Sequence, residues 1–208
     1  MTTRDPSSTQ IGAVVVLAGG AGRRLGGPKA WLDWQGRPLL AHVLERLAPL
    51  SSERPIVVGT HGMPLPPGDY TRVDDARTGV GPLAGLAVGL AAAGSTDGRT
   101  RVAVCACDCP FTNSRLFRFL ARVDAAAPVV VPSFEDHLHP LSAIWRAEAS
   151  GACRRAVERG QRRVLAVLEE LHPRVVPAEA FPVGLDPSRV LFNLNDRNDL
   201  SRARSWPA

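Results

Sequence analysis

The apolar positions of this chain fall in short unbroken runs separated by amphipathic stretches. Ile11–Leu17 (IGAVVVL), Pro55–Gly59 (PIVVG), Arg101–Cys107 (RVAVCAC) and Pro128–Pro132 (PVVVP) have the length and content of buried strands. A short strand ends at Val73, Leu141–Arg146 is a candidate fifth main strand, and Val190–Leu194 reads as a late one. Between them the period changes. Pro38–Leu50 places Leu39, Leu40, Val43, Leu44 and Leu47 on one helical face. Gly81–Ala93 reads as a buried helix with Pro82 in its first turn. Ser114–Ala127 is a helix with Leu116, Leu120 and Val123 on one face and Asn113 or Ser114 as its cap. Ala149–Gly160 and Gln161–Leu171 continue the series, Pro64–Gly68 is a loop, and a short helix closes the chain.

Unbroken strands alternating with helices predict an α/β fold: three layers, Rossmann-like, with helices on both faces of a mostly parallel sheet. No repeat or low-complexity linker divides the chain, so residues 11–208 are expected to form one domain behind a flexible tail, residues 1–10. Ligands of such sheets sit beyond the carboxyl ends of the strands. Here those ends are Leu17, Gly59, Val73 and Cys107.

Composition narrows the class. A chain of 208 residues can bury a full core without disulfides or a structural metal. Its apolar runs fall short of the roughly 18 residues of a membrane span, and the polar start MTTRDPSSTQ has no secretory core. A cytoplasmic protein without membrane attachment is expected. The net charge of +5 rests on 24 arginines and a single lysine, Lys29. The arginines are scattered and aromatics make up 5%, so no nucleic-acid surface is expected. The excess is either a bias towards polyanionic small molecules or a trace of coding-DNA composition. Cys105, Cys107 and Cys109 alternate on one strand face but lack the paired spacing of a zinc site. With Cys153 they read as buried, reduced thiols.

The segment richest in chemistry is Leu17–Ala30, LAGGAGRRLGGPKA. Gly19, Gly20, Gly22, Gly26 and Gly27 follow a strand, and Arg23, Arg24 and Lys29 add charge. Glycines in this place let backbone N–H groups close on an anion. Two familiar phosphate motifs do not fit. The dinucleotide pattern from Gly20 and Gly22 meets Leu25, and the P-loop pattern from Gly22 meets Pro28 where lysine is required. The loop is therefore a phosphate cradle of another kind. Asp108, at the end of a buried strand, either holds a metal over the ligand crevice or caps a turn before Pro110. Lys29 is a compact point charge in a chain that otherwise uses arginine. Asp75, beside Asp74, either accepts from a base or ribose or belongs to a solvated turn. Asn193 and Asn195 would share one face of the late strand, and Arg162 and Arg163 precede a helix.

LAGGAGRRLGGPKAWLDWQGRPLLAHVLERL resembles the signature of the nucleotidyltransferase superfamily, LAGGxSxRMGxxKA followed by GxPLL, with Leu25 in place of Met. DARTGVGPLAGL, CACDCPF, HPLSAIWR, GQRRV and FNLNDRNDL follow in order. Together they resemble the molybdenum cofactor guanylyltransferases over nearly the whole chain, weakest at Pro64–Thr71 and Leu171–Asp186. That resemblance implies transfer of GMP from GTP to molybdopterin with release of pyrophosphate. It implies a GTP site at Leu17, Ala18, Gly19, Gly20, Gly22, Lys29, Asp75, Gly81 and Asp108, with Mg²⁺ on Asp108 and Arg24 beside Lys29 on the triphosphate. It further implies an acceptor site at Arg162, Arg163, Asn193 and Asn195, and contacts with other molybdenum cofactor biosynthesis proteins and acceptor apo-enzymes. His139-Pro140 matches too, without implying a catalyst. Gly59 stands where some relatives carry Asn near the base. Two alternatives stay open: a cytidylyltransferase or other NTP transferase for a related phosphorylated acceptor, and a non-catalytic protein that delivers GTP or cofactor.

Overall fold

The computed structural model describes residues 10–20, 22–75, 81–94 and 100–206. The proposed tail, apart from Gln10, lies outside the described residues. The elements are β1 (Ala13–Leu17), β2 (Asp33–Trp34), β3 (Arg37–Pro38), α1 (Leu39–Leu47), β4 (Ile56–Thr60), β5 (Thr71–Asp75), α2 (Pro82–Ala93), β6 (Arg101–Ala106), α3 (Ser114–Val123), β7 (Val129–Phe134), β8 (His137–Leu138), β9 (Ser142–Arg146), α4 (Ser150–Glu158), α5 (Val164–Leu171), β10 (Arg174–Pro177), α6 (Pro187–Val190) and α7 (Arg197–Arg204).

The main sheet runs β10-β7-β9-β6-β1-β4-β5. β6, β1, β4 and β5 are mutually parallel, as are β7 and β10, while β9 lies antiparallel between β6 and β7. This is the predicted α/β arrangement. Strand alternation divides the core in two. From β1, Val14 and Val16 enter one apolar cluster with α1 and α3, while Ala13, Val15 and Leu17 enter the other with α2, α4 and α5. No helix of the described residues is long and apolar enough to cross a membrane.

Local chemistry sets the boundaries. Asn113 caps α3 by accepting from Arg115 N. The helix stops at Val123, short of the expected Ala127, because the Asp124 carboxylate takes the N–H groups of Ala126 and Ala127 into a turn. Two readings need correction. Val190–Leu194 is not a strand. Asp186 caps a short helix that starts on Pro187, and the chain beyond Val190 is irregular. Val190, Leu191 and Phe192 are buried in consecutive positions, without the period-two pattern of a strand. Cys107 and Cys109 lie past the end of β6, so only Cys105 is a strand residue; all four cysteines are nonetheless buried and free. Among the described residues no group of three His, Cys, Asp or Glu is placed to hold a metal.

Candidate active site

The carboxyl ends of β1, β4, β5 and β6 open onto a cleft of about 870 Å³. Backbone bonds hold its floor in register: Ala18 N donates to Val58 O and Cys107 N to Leu17 O. Leu17, Gly19, Gly20, Arg23 and Lys29 line it after β1. Gly59, Thr60, His61 and Met63 line it from β4, and Asp75 from β5. Gly81, Pro82 and Gly85 come from the start of α2, and Ala106, Cys107 and Asp108 from β6.

The glycine loop is tightly folded. Gly22 has φ +55, and a Cβ there would lie 1.8 Å from the Gly27 carbonyl oxygen. Gly22 therefore shapes the loop without lining the cleft. Across the cleft, Lys29 Nζ donates to Asp108 Oδ2 at 2.6 Å, with both side chains largely buried. Residues 79 positions apart in sequence thus form the charged centre of the site. Asp74 is engaged elsewhere, by Arg72 at 2.6 Å and His61 at 3.6 Å, which leaves Asp75 as the β5 carboxylate that lines the cleft. A Cβ at Gly59 would sit 3.1 Å from Leu65 Cδ1, the end of a half-buried side chain.

A second cavity, of about 330 Å³, adjoins the first and shares Pro82 and Leu141 with it. Arg162, Arg163 and Asn193 line it together with His139 and Ser142. Gly81, with φ +81, joins the two: its Cβ position is 2.9 Å from Arg162 O. Cys109 Sγ donates to Asn193 Oδ1 at 2.9 Å, and Leu194 N donates to Asp108 O, so the C-terminal segment is tied to the end of β6. Neighbouring Cys105, then burial, holds the Cys109 thiol well above its usual range, and burial does the same for Cys107. Neither is a nucleophile at neutral pH.

Of the residues expected at the nucleotide, Leu17, Gly19, Gly20, Lys29, Asp75, Gly81 and Asp108 converge on the first cleft. Three do not. Arg24 is exposed and absent from the lining, and Arg23 takes that place. Ala18 is buried beneath the loop, where its N–H holds Val58 O, and Gly22 shapes the turn. Of the acceptor residues, Asn195 is exposed and lies outside the second cavity; its N–H meets Asp199 and its side chain reaches Asn193 O at 3.4 Å. Sequence reasoning passed over Thr60, His61, Met63 and Leu141. The end of β4 was the available signal for the first three, and the HPLSAIWR segment for Leu141.

Residues 14–175 match the family described as the MobA-like NTP transferase domain. A molybdenum cofactor guanylyltransferase of Acidiphilium cryptum is 34% identical, covering 97% of both chains. The chain belongs to the MobA-like NTP transferase family. The guanylyltransferase of Rhizobium meliloti is 28% identical over 98% of this chain and 95% of its own. Among solved structures, molybdopterin-guanine dinucleotide biosynthesis protein A from Archaeoglobus fulgidus superposes with a TM-score of 0.76 at 27% identity, over 92% of this chain and 96% of that one. As a member of this family the chain is a nucleotidyltransferase, and the cleft on the β1 loop is its candidate active site.

Proposed function

We propose that this MobA-like transferase moves GMP from GTP to the terminal phosphate of molybdopterin, forming the guanine dinucleotide cofactor. The acceptor phosphate oxygen bonds to the α-phosphorus of GTP, the α–β phosphoanhydride bond breaks, and pyrophosphate leaves. The observation that carries this reading is the joining of two cavities beside one charged pair. The larger holds the glycine loop, Lys29 and Asp108; the smaller holds Arg162, Arg163 and Asn193. A nucleotide in one and a phosphorylated pterin in the other would meet next to Asp108. The relatives' activity supports the choice of substrates.

The backbone N–H groups of Gly19 and Gly20 and the cations of Lys29 and Arg23 bind the triphosphate. Such positioning and charge neutralisation is most of what phosphoryl transfer asks of a protein. Asp108 and Asp75 line the same cleft, and their hard oxygen donors are the ones that would hold Mg²⁺. When bound, that ion adds positive charge against the triphosphate. Lys29 then trades its ion pair with Asp108 for phosphate oxygens. Four buried thiols suit the cytoplasm, where we place the reaction, with acceptor apo-enzymes downstream.

The test is pyrophosphate release with GTP or CTP, Mg²⁺ and molybdopterin. Release is expected only with GTP and molybdopterin together. Release with CTP instead makes the chain a cytidylyltransferase. Binding of both ligands without release makes it a delivery protein.

A further inference from the structure

His139 stands in the wall of the smaller cavity, between Leu138 and Pro140. Its backbone is fixed on both sides: its N–H donates to Pro132 O at 2.9 Å, and its carbonyl accepts from Ser142 N at 3.0 Å. Its ring Nε2 is sealed from solvent and has no hydrogen-bond partner. Folded proteins keep few orphaned polar atoms, because each is destabilising. Burial, then the neighbouring His137, holds the ring's pKa below the ordinary histidine value, so it is neutral at pH 7, with one donor and one acceptor nitrogen. The torsion that orients an imidazole is broad, and a ligand with a hydrogen-bonding edge would favour turning the orphaned nitrogen towards the cavity.

The surroundings say what kind of group it meets. Leu138, Pro140, Leu141 and Leu165 give the cavity apolar walls, and Arg162 and Arg163 are exposed cations beside them. That division suits a ligand with a flat heterocycle at one end and a phosphate at the other. We propose that His139 is a positioning residue for the acceptor: its imidazole hydrogen-bonds a polar edge of the heterocycle while Arg162 and Arg163 take the phosphate. This rests on reading the smaller cavity as the acceptor side. A pterin edge carries both N–H donors and carbonyl or ring-nitrogen acceptors, so a side chain offering one of each can pair with it.

The experiment compares wild type with His139→Phe, His139→Asn and His139→Gln, measuring kcat, the KM for molybdopterin, the Kd for GTP and the melting temperature. His139→Phe keeps a flat ring and loses the hydrogen bond. It is expected to raise the acceptor KM about tenfold, the weight of one hydrogen bond, with GTP affinity and melting temperature unchanged. At least one amide variant should recover most of the loss. A phenylalanine variant equal to wild type overturns the proposal, because the ring then only packs. Parallel loss of GTP binding and melting temperature overturns it too, in favour of a structural role. Wild type without transfer to molybdopterin means instead that the reading of the whole site has failed.

Discussion

The two cavities are built by different means. The larger, which we propose takes the nucleotide, is made by the main sheet itself: β1, β4, β5 and β6 are parallel neighbours, and their carboxyl ends deliver Gly19, Gly59, Asp75 and Asp108 to one opening. Backbone bonds between those strand ends fix the register. The smaller, which we propose takes the acceptor, is made by three distant segments: the stretch between β8 and β9, the turn before α5 and the irregular chain after α6. What holds these together is side-chain and loop contact, such as Cys109 with Asn193 and Gly81 against Arg162. A site set by strand order tolerates change in its side chains without losing its shape, whereas one assembled from loops depends on each contact.

The largest effect is expected at the charged pair. Lys29→Ala should remove about 2–4 kcal/mol of transition-state stabilisation, the range for one preorganised electrostatic group, with the fold intact. Lys29→Arg should recover little, since a guanidinium fork does not replace a compact ammonium. Asp108→Asn should lose Mg²⁺-dependent turnover more than GTP binding, because the amide lacks the charge that would hold the metal. Steady-state rates across a Mg²⁺ titration decide this, and near-native turnover in the alanine variant would remove Lys29 from the chemistry.

That contrast also explains what could be read from the sequence. The glycine loop and Asp108 were legible because each follows a strand end, and Lys29 because it is the single lysine of the chain. Arg23 and Arg24 could not be told apart, because the direction of each side chain depends on how the loop folds around Gly22. The apolar residues from Val190 to Leu194 looked like a strand by content, but the Asp186-Pro187 start makes a helix, and their burial comes from plugging the end of the core. Strand β10 was missed because only Val176 of Arg174–Pro177 is buried, so the stretch carries almost no apolar signal. His139 and Asn193 share a cavity 54 positions apart in sequence, which no spacing rule reveals.

The glycines at the two borders give the next largest effects. Gly22→Ala places a Cβ on the Gly27 carbonyl at a left-handed φ, a strain on the order of 1–3 kcal/mol. It should weaken GTP and leave acceptor binding alone. Gly81→Ala pushes on Arg162 from the nucleotide side and should weaken both ligands. Isothermal titration with GTP and molybdopterin separately distinguishes the two; a Gly81 variant that harms only GTP would show that the cavities are independent.

Within the acceptor side the asparagines should separate. Asn193→Ala removes the cavity-lining amide and the acceptor of the Cys109 thiol, and should cost about 0.5–1.5 kcal/mol in molybdopterin binding. Asn195→Ala changes an exposed turn and should stay within about 0.5 kcal/mol. Equal losses would return both residues to a shared structural role.

The smallest effect is on stability against acid, where each region carries one histidine held below its ordinary pKa. Burial, then Arg37, lowers that of His42 on α1, behind the nucleotide side; Arg46 adds to the shift, while Glu45 and a backbone bond at Trp34 oppose it. Burial and His137 lower that of His139 on the acceptor side. In both cases the folded protein favours the neutral ring. Above pH 6.5 folded and unfolded chains are both neutral there, and neither histidine makes stability depend on pH. Below 6.5 the unfolded chain takes up protons that the folded one resists, so stability falls with pH until the folded rings titrate as well. The melting temperature should therefore be flat from pH 8 to 7 and lower at pH 5.5. His42→Gln and His139→Gln should each remove part of that drop. Only loss of the His139 imidazole, tested with His139→Phe, should also alter the KM for molybdopterin, so the two positions test whether the two regions share a stability but not a function. An acid drop unchanged in both variants would assign it to carboxylates and leave the histidines without a part in it.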